Sequence, residues 1–167
     1  MSRQSEQILE QQLIENLQKL GYQYIAIADE KGLIANLKTQ LEKHNNVIFT
    51  ATEFEKILNT LRKGSVFEKA KILRERQHLL RDNGDNLYFE FFNTEHWCQN
   101  QYQVTHQIAQ SGTYDNRYDV TLLINGLPLV QIELKRRGLE LKEAFNQINR
   151  YQKHSFGAGQ GLFHFVQ

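Results

Sequence analysis

Three residues in the second half of the chain have the types and spacing to handle a phosphodiester. Asp119 lies near the start of the apolar run Tyr118–Ile124. Glu133 and Lys135 sit two apart in the run that follows Asn125-Gly126. A strand has period two, so Glu133 and Lys135 share a face, with Gln131 beside them. Val130, Ile132 and Leu134 then point the other way, towards a core. Two carboxylates supply the hard oxygen ligands that Mg²⁺ takes alongside waters and a substrate phosphate, and the backbone carbonyl of Leu134 is a third oxygen in reach. Metal bound there activates water and offsets phosphate charge. Lys135 adds a point cation to hold the attacking water or to stabilise developing negative charge.

The turn decides whether these groups meet. Asn-Gly is the strongest two-residue hairpin signal. A strict two-residue loop pairs Ile124 with Leu127 and therefore Asp119 with Ile132, which puts Asp119 on the wrong face from Glu133. One extra residue in the turn, or a bulge near Leu127-Pro128, pairs Asp119 with Glu133 instead. Pro128, the single proline, lacks an N–H and suits a bulge or a strand start. The spacing therefore predicts a three-residue loop or a bulge.

Accessory positions flank this set. Gln147 and Tyr151, four apart on a helix, lie on neighbouring turns of one face and offer an amide and a hydroxyl to a phosphate or nucleotide. Core packing is the ordinary role for such a tyrosine. Glu10 in the first helix is a candidate further ligand, against the ordinary role of a solvated helix glutamate. Of the six histidines, His154 is placed best, just past Tyr151, though non-catalytic roles are expected of all six. Glu and Lys at i and i+2 on an exposed strand also form plain surface ion pairs, so the acid–acid–lysine spacing alone is a weak signal.

The elements that must position these residues are readable from periodicity. Residues 5–20 read as a helix capped by Ser5 and ended by Gly21. Tyr22–Ala28 reads as a short strand. Leu33–Lys43 and Glu53–Arg62 have helical spacing, with Thr52 as the expected cap of the second. Val66–Leu80 reads as helical or partly so; its basic run, Lys69, Lys71, Arg74 and Arg76 with Arg81 just beyond, is a solvated face or, less ordinarily, a DNA-facing one. Asp82–Asp85 is a turn, and Leu87–Phe92, Gln101–Ala109, Tyr118–Ile124 and Leu129–Lys135 are strands. Glu140–Lys153 is an amphipathic helix with Leu141, Ala144, Phe145 and Ile148 on one face. Gly157, Gly159 and Gly161 mark a connection to a final strand, Leu162–Val166.

At 167 residues the chain suits one domain with a real core. A net charge of +1 excludes a global basic field of the histone type, though not a local DNA contact. The one cysteine, Cys98, cannot form an internal disulfide and has no zinc-spaced partners. There is no secretory leader at Met1–Ser5 and no apolar run of the roughly 20 residues needed to span a bilayer, so a cytoplasmic protein is expected. The chain stops at Gln167 within a strand pattern, as expected of an amino-terminal fragment of something longer.

The segment from Asn116-Arg-Tyr-Asp119 through Gln131-Ile-Glu-Leu-Lys135 to Ala144-Phe-Asn-Gln147-Ile-Asn-Arg-Tyr151 closely resembles the nuclease domain of type I restriction enzyme R subunits. The start, Ser5-Glu-Gln-Ile-Leu-Glu10 with Leu-Gly-Tyr22 downstream, is similar to theirs too. The resemblance is specific from about 116 to 155, looser before, and spans essentially the whole chain. It implies an α/β fold of the restriction-endonuclease-like PD-(D/E)xK type, a central mixed sheet flanked by helices. It implies Asp119, Glu133 and Lys135 as catalytic residues, Gln147 and Tyr151 as the Q-x-x-x-Y motif of the RecB-like branch, and Glu10 as an accessory acid. It further implies Mg²⁺-dependent cleavage of DNA without sequence specificity of its own. The implied partners are the methyltransferase and specificity subunits of a restriction complex. ATP would serve only the motor domains, whose G-x-x-x-x-G-K-[ST] signature is missing here. Two rivals remain at this level. One is a stand-alone repair or junction nuclease on the same fold; the other is a non-catalytic module docking DNA or the methyltransferase.

Overall fold

The computed structural model describes residues 5–110, 116–135, 141–151 and 161–166. Ser5 caps α1 (Glu6–Lys19) by accepting from the amide of Ile8. Gly21, at φ +98°, reverses the chain just past its end. Asp29 caps α2 (Glu30–Asn45) through the amide of Gly32, and the left-handed Asn46 closes it. Thr50 and Glu53 form a reciprocal capping box on α3 (Ala51–Arg62). The expected cap, Thr52, lies inside that helix; Thr50 takes the role because its side chain reaches the amide of Glu53 three residues on. Leu33, Leu37 and Leu41 recur every fourth residue along α2 and are fully buried. Each contributes roughly 2 kcal/mol of burial.

The main sheet runs β1-β4-β5-β6: β1 (Gln23–Tyr24), β4 (Tyr102–Gln110), β5 (Asn116–Ile124) and β6 (Leu127–Ile132). β1 is parallel to β4 and the other neighbours are antiparallel, so the sheet is mixed and the fold is α/β, as the resemblance implied. A large cluster holds α2, α3 and the β-hairpin end of the sheet. A small one sets Ile14 of α1, with Leu13 and Leu17, against Val104 and Val120. The small cluster also takes Ile132 and Leu134, whereas Val130 is 41% exposed against the core role expected of it. β6 is an edge strand of the sheet.

Three stretches depart from the periodicity. The helix expected over 66–80 stops at Arg74 as α4 (Val66–Arg74), capped by Ser65 with Glu68. Gln77–Leu80 instead forms β2, which pairs with β3 (Asn86–Phe89) across the expected 82–85 turn. Pairing with an aromatic-rich strand overrides a helical apolar pattern there. The strand expected over 22–28 shrinks to two residues, and the one expected over 87–92 ends at Phe89. Leu162–Phe165 is a 3₁₀ turn, not a strand, with Leu162, Phe163 and Phe165 all buried. Phe163 packs on Tyr118 at 4.3 Å between ring centres.

At the rim of α3, the buried Glu53 receives Arg81 at 3.0 Å and the amides of Thr50 and Asp82. The Arg81 hydrogen bond is the largest cause of a carboxyl pKa lowered to about 2, against the opposing effect of burial.

Candidate active site

Asn125 (φ 47°) and Gly126 (φ 83°) make a two-residue turn, and Ile124 pairs with Leu127. The three-residue loop is therefore absent, but the bulge expected near Leu127-Pro128 is present, directly after Pro128. Leu123 pairs with Pro128 and Leu122 with Val130, so Leu129 is the extra residue, turned onto the large core. From there Thr121 faces Gln131 and Val120 faces Ile132. Continuing the register sets Asp119 opposite Glu133.

β6 ends at Ile132, so Glu133, Leu134 and Lys135 lie just past the strand expected to contain them. Asp119 reaches over this link: its Oδ2 accepts from the amide of Leu134 at 2.8 Å. The Glu133 side chain is only 1% exposed, with the Lys135 ammonium 3.8 Å from its Oε2 and Lys135 itself 19% exposed. Gln131 brings its amide nitrogen to 3.5 Å from Glu133 Oε1, and its own Oε1 accepts from Thr121 at 2.8 Å. Asp119 is thus bonded to the Leu134 amide, and Lys135 stands beside Glu133. Among the described residues no cluster of three or more His, Cys, Asp or Glu has metal-binding geometry. A donor set of two carboxylates and a backbone carbonyl is what Mg²⁺ accepts, since it keeps several waters.

Glu10, 9% exposed on α1, has its carboxylate engaged by β4: His106 Nδ1 contacts one oxygen and Gln107 donates to the other at 2.6 Å. His106 Nε2 in turn meets the Tyr24 hydroxyl at 3.0 Å. Gln107 has φ +55° inside a strand, and the pairs His106–Val120 and Ile108–Tyr118 bracket it opposite Asp119. Alternation is interrupted there. Val104 and Val120 pack in the small cluster and Ile108 and Tyr118 in the large one, where period two would keep Val104 with Ile108 and Tyr118 with Val120. Glu10 therefore meets the strand next to Asp119, and its carboxylate bonds to that strand.

Gln147 is half-buried on α5 (Leu141–Tyr151). Tyr151 is the last residue of α5; its side chain lies outside the described residues, as do His154 and the glycines at 157 and 159. Phe145, placed on the apolar face from sequence, is 62% exposed, while Ala144 and Ile148 are half-buried. Cys98 is exposed. Sequence reading missed Tyr24, His106, Gln107 and Thr121. The only signal was a polar run, Gln103, Thr105, His106 and Gln107, inside an otherwise strand-like segment.

The protein has an α/β fold, with Asp119, Glu133 and Lys135 placed about the end of an edge strand of a mixed sheet. Residues 3–167 match the family described as type I restriction enzyme R protein N terminus, and the chain belongs to that family. It is 45% identical over 172 residues to a type I restriction enzyme endonuclease subunit of Staphylococcus aureus (strain COL), covering 100% of this chain and 18% of that protein. It is 42% identical over 174 residues to the type I restriction enzyme EcoprrI endonuclease subunit of Escherichia coli, covering 99% of this chain and 55% of that one. A putative type I restriction enzyme endonuclease subunit of Methanocaldococcus jannaschii is 38% identical over 72 residues, 41% of this chain. The chain spans less than two thirds of the length of these relatives. Among the described residues, no helix is long and apolar enough to cross a membrane.

Proposed function

We propose that this domain is the Mg²⁺-dependent nuclease of a cytoplasmic type I restriction system, of the PD-(D/E)xK type, hydrolysing DNA phosphodiesters without sequence specificity of its own. The observation behind the reading is the hydrogen bond from Leu134 to Asp119, which locks one acid onto the link between the other acid and the lysine. Asp119 and Glu133 would hold the metal, with the Leu134 carbonyl as a third oxygen. Bound Mg²⁺ would lower the pKa of a coordinated water and neutralise charge on the phosphate. One Asp119 oxygen is committed to the backbone, which orients the other. Lys135, short of a full hydrogen bond to Glu133 at 3.8 Å, is close enough to respond to charge at the site and near enough to solvent to meet a phosphate oxygen or an attacking water. Gln147 and Tyr151 are assigned to the accessory motif on DNA, and Glu10 to support through β4. Methyltransferase and specificity subunits would supply target recognition, and ATP would drive only motor domains outside this chain.

Titration of Mg²⁺ or Mn²⁺ into the wild-type chain and into Glu133→Ala, read by calorimetry, tests the assignment. Binding present in the wild type and lost in the variant supports it. Equal binding by both, or none by either, refutes a metal site on Glu133.

A further inference from the structure

We propose that Thr121 and Gln131 are positioning residues that set the orientation of the Glu133 carboxylate, and through it the affinity of the site for a divalent cation. The inference rests on the metal-site reading above and adds to it the groups that make the site rigid.

Thr121 and Gln131 are direct cross-strand partners on β5 and β6. Thr121 is fully buried, and its hydroxyl donates to Gln131 Oε1 at 2.8 Å. A primary amide is two-sided: oxygen accepts at one end and NH₂ donates at the other. With its oxygen held by Thr121, the Gln131 amide must present its nitrogen at the opposite side. There the nitrogen meets Glu133 Oε1 at 3.5 Å and the carbonyl of Ile132 at 3.4 Å. Rotated by half a turn, the same amide would push an oxygen towards a carboxylate. Thr121 therefore selects the attractive orientation, and its β-branched side chain has few rotamers in which to wander.

The need for such a device follows from the element boundaries. β6 stops at Ile132, so Glu133 lies just past the end of the strand. The long Glu133 side chain nonetheless lies 1% exposed. Gln131 reaches one carboxylate oxygen and Lys135 stands 3.8 Å from the other. A carboxylate bracketed in this way is held in place before any metal arrives. Thr105, the partner of Thr121 on β4, is buried as deeply and has no hydrogen-bond partner for its hydroxyl among the described residues. It serves as an internal control.

The test is calorimetric titration of Mn²⁺ into the whole 167-residue chain, with melting temperatures recorded alongside. Outer-shell partners of metal ligands are worth about 10- to 100-fold in affinity, so Thr121→Val and Gln131→Leu are each expected to weaken Mn²⁺ binding by about tenfold or more. Thr121→Ser keeps the donor and is expected to restore affinity, while Thr105→Val leaves it unchanged. Glu133→Gln is the reference and should abolish binding. Wild-type affinity in folded Thr121→Val and Gln131→Leu, with binding still lost in Glu133→Gln, overturns the positioning role and leaves the metal site standing. Absence of Mn²⁺ binding in the wild type overturns both. Should Thr121→Val not fold, Gln131→Leu decides; unfolding of both makes the pair purely structural and also overturns the proposal.

Discussion

The amide of Leu134 donates to Oδ2 of Asp119 across 2.8 Å, tying the acid of β5 to the link between Glu133 and Lys135. Asparagine at 119 keeps an acceptor oxygen for that amide but gives up the negative charge; alanine gives up both. Asp119→Asn is therefore expected to melt close to the wild type while losing Mn²⁺ binding. Asp119→Ala should lose the metal and, in addition, about 1–2 kcal/mol of stability, since it leaves the amide without its partner. Chemical denaturation beside calorimetry separates the two. Retained metal affinity in Asp119→Asn would remove Asp119 from the metal site.

Lys135 sits 3.8 Å from Glu133 and is partly exposed. Its cation competes with a metal for the same carboxylate while, in the proposed reaction, it serves the transition state. Lys135→Met retains most of the stem and removes the charge. Cleavage by the assembled enzyme is expected to fall by about a hundredfold or more, whereas Mn²⁺ affinity should hold or tighten. Weaker metal binding in Lys135→Met would contradict that division of roles.

Glu53 responds to acid in a defined direction. The Arg81 hydrogen bond and the Thr50 and Asp82 amides lower its pKa from 4.5 to about 2. A group depressed in the folded state stabilises the fold fully above its unfolded pKa and loses that contribution as pH falls through the folded value. The contribution is thus whole above about pH 4.5 and gone near pH 2. Glu53→Gln should be clearly less stable than the wild type near neutral pH, and the gap should close as pH drops through that window. Urea denaturation at a series of pH values measures the gap; a gap that stays constant would show that Glu53 does not titrate low in the folded protein.

Much of this was legible in the sequence, for identifiable reasons. The helices announced themselves through helical apolar spacing, with Ser5 marking the start of the first, and the requirement that Asp119 meet Glu133 demanded one extra residue in the hairpin. What the sequence left open was where that residue sits. Asn125-Gly126 enforces the short turn, and the bulge moves to Leu129 because an apolar side chain there can join the large core. Left-handed Gln107, opposite Asp119, was not legible at all, since glutamine has no preference for positive φ. Nor was the placement of Glu10 on β4 rather than on the acids, which depends on that kink. Leu162–Phe165 misled because burial on every side looks like an apolar strand in one dimension.

Gly126→Ala is expected to be the most damaging small change in the hairpin. At φ +83° an L-residue is already strained, and an added Cβ would lie 2.7 Å from Leu37 Cα, 3.1 Å from Leu37 N and 3.2 Å from the Asn36 carbonyl oxygen. All three are backbone atoms of α2, so nothing flexible can swing aside. Either the helix lifts from the hairpin or the turn opens, and either costs at least about 2 kcal/mol. Trimming the Leu37 side chain cannot help, because the obstacle is its main chain. Urea denaturation should therefore find Gly126→Ala with Leu37→Ala no more stable than Leu37→Ala alone, whereas a rescue by the double variant would mean that the hairpin and α2 do not approach this closely. Since the register that sets Asp119 opposite Glu133 is built from the short turn together with the bulge at Leu129, any folded Gly126→Ala protein in which the turn has opened should bind Mn²⁺ more weakly than the wild type.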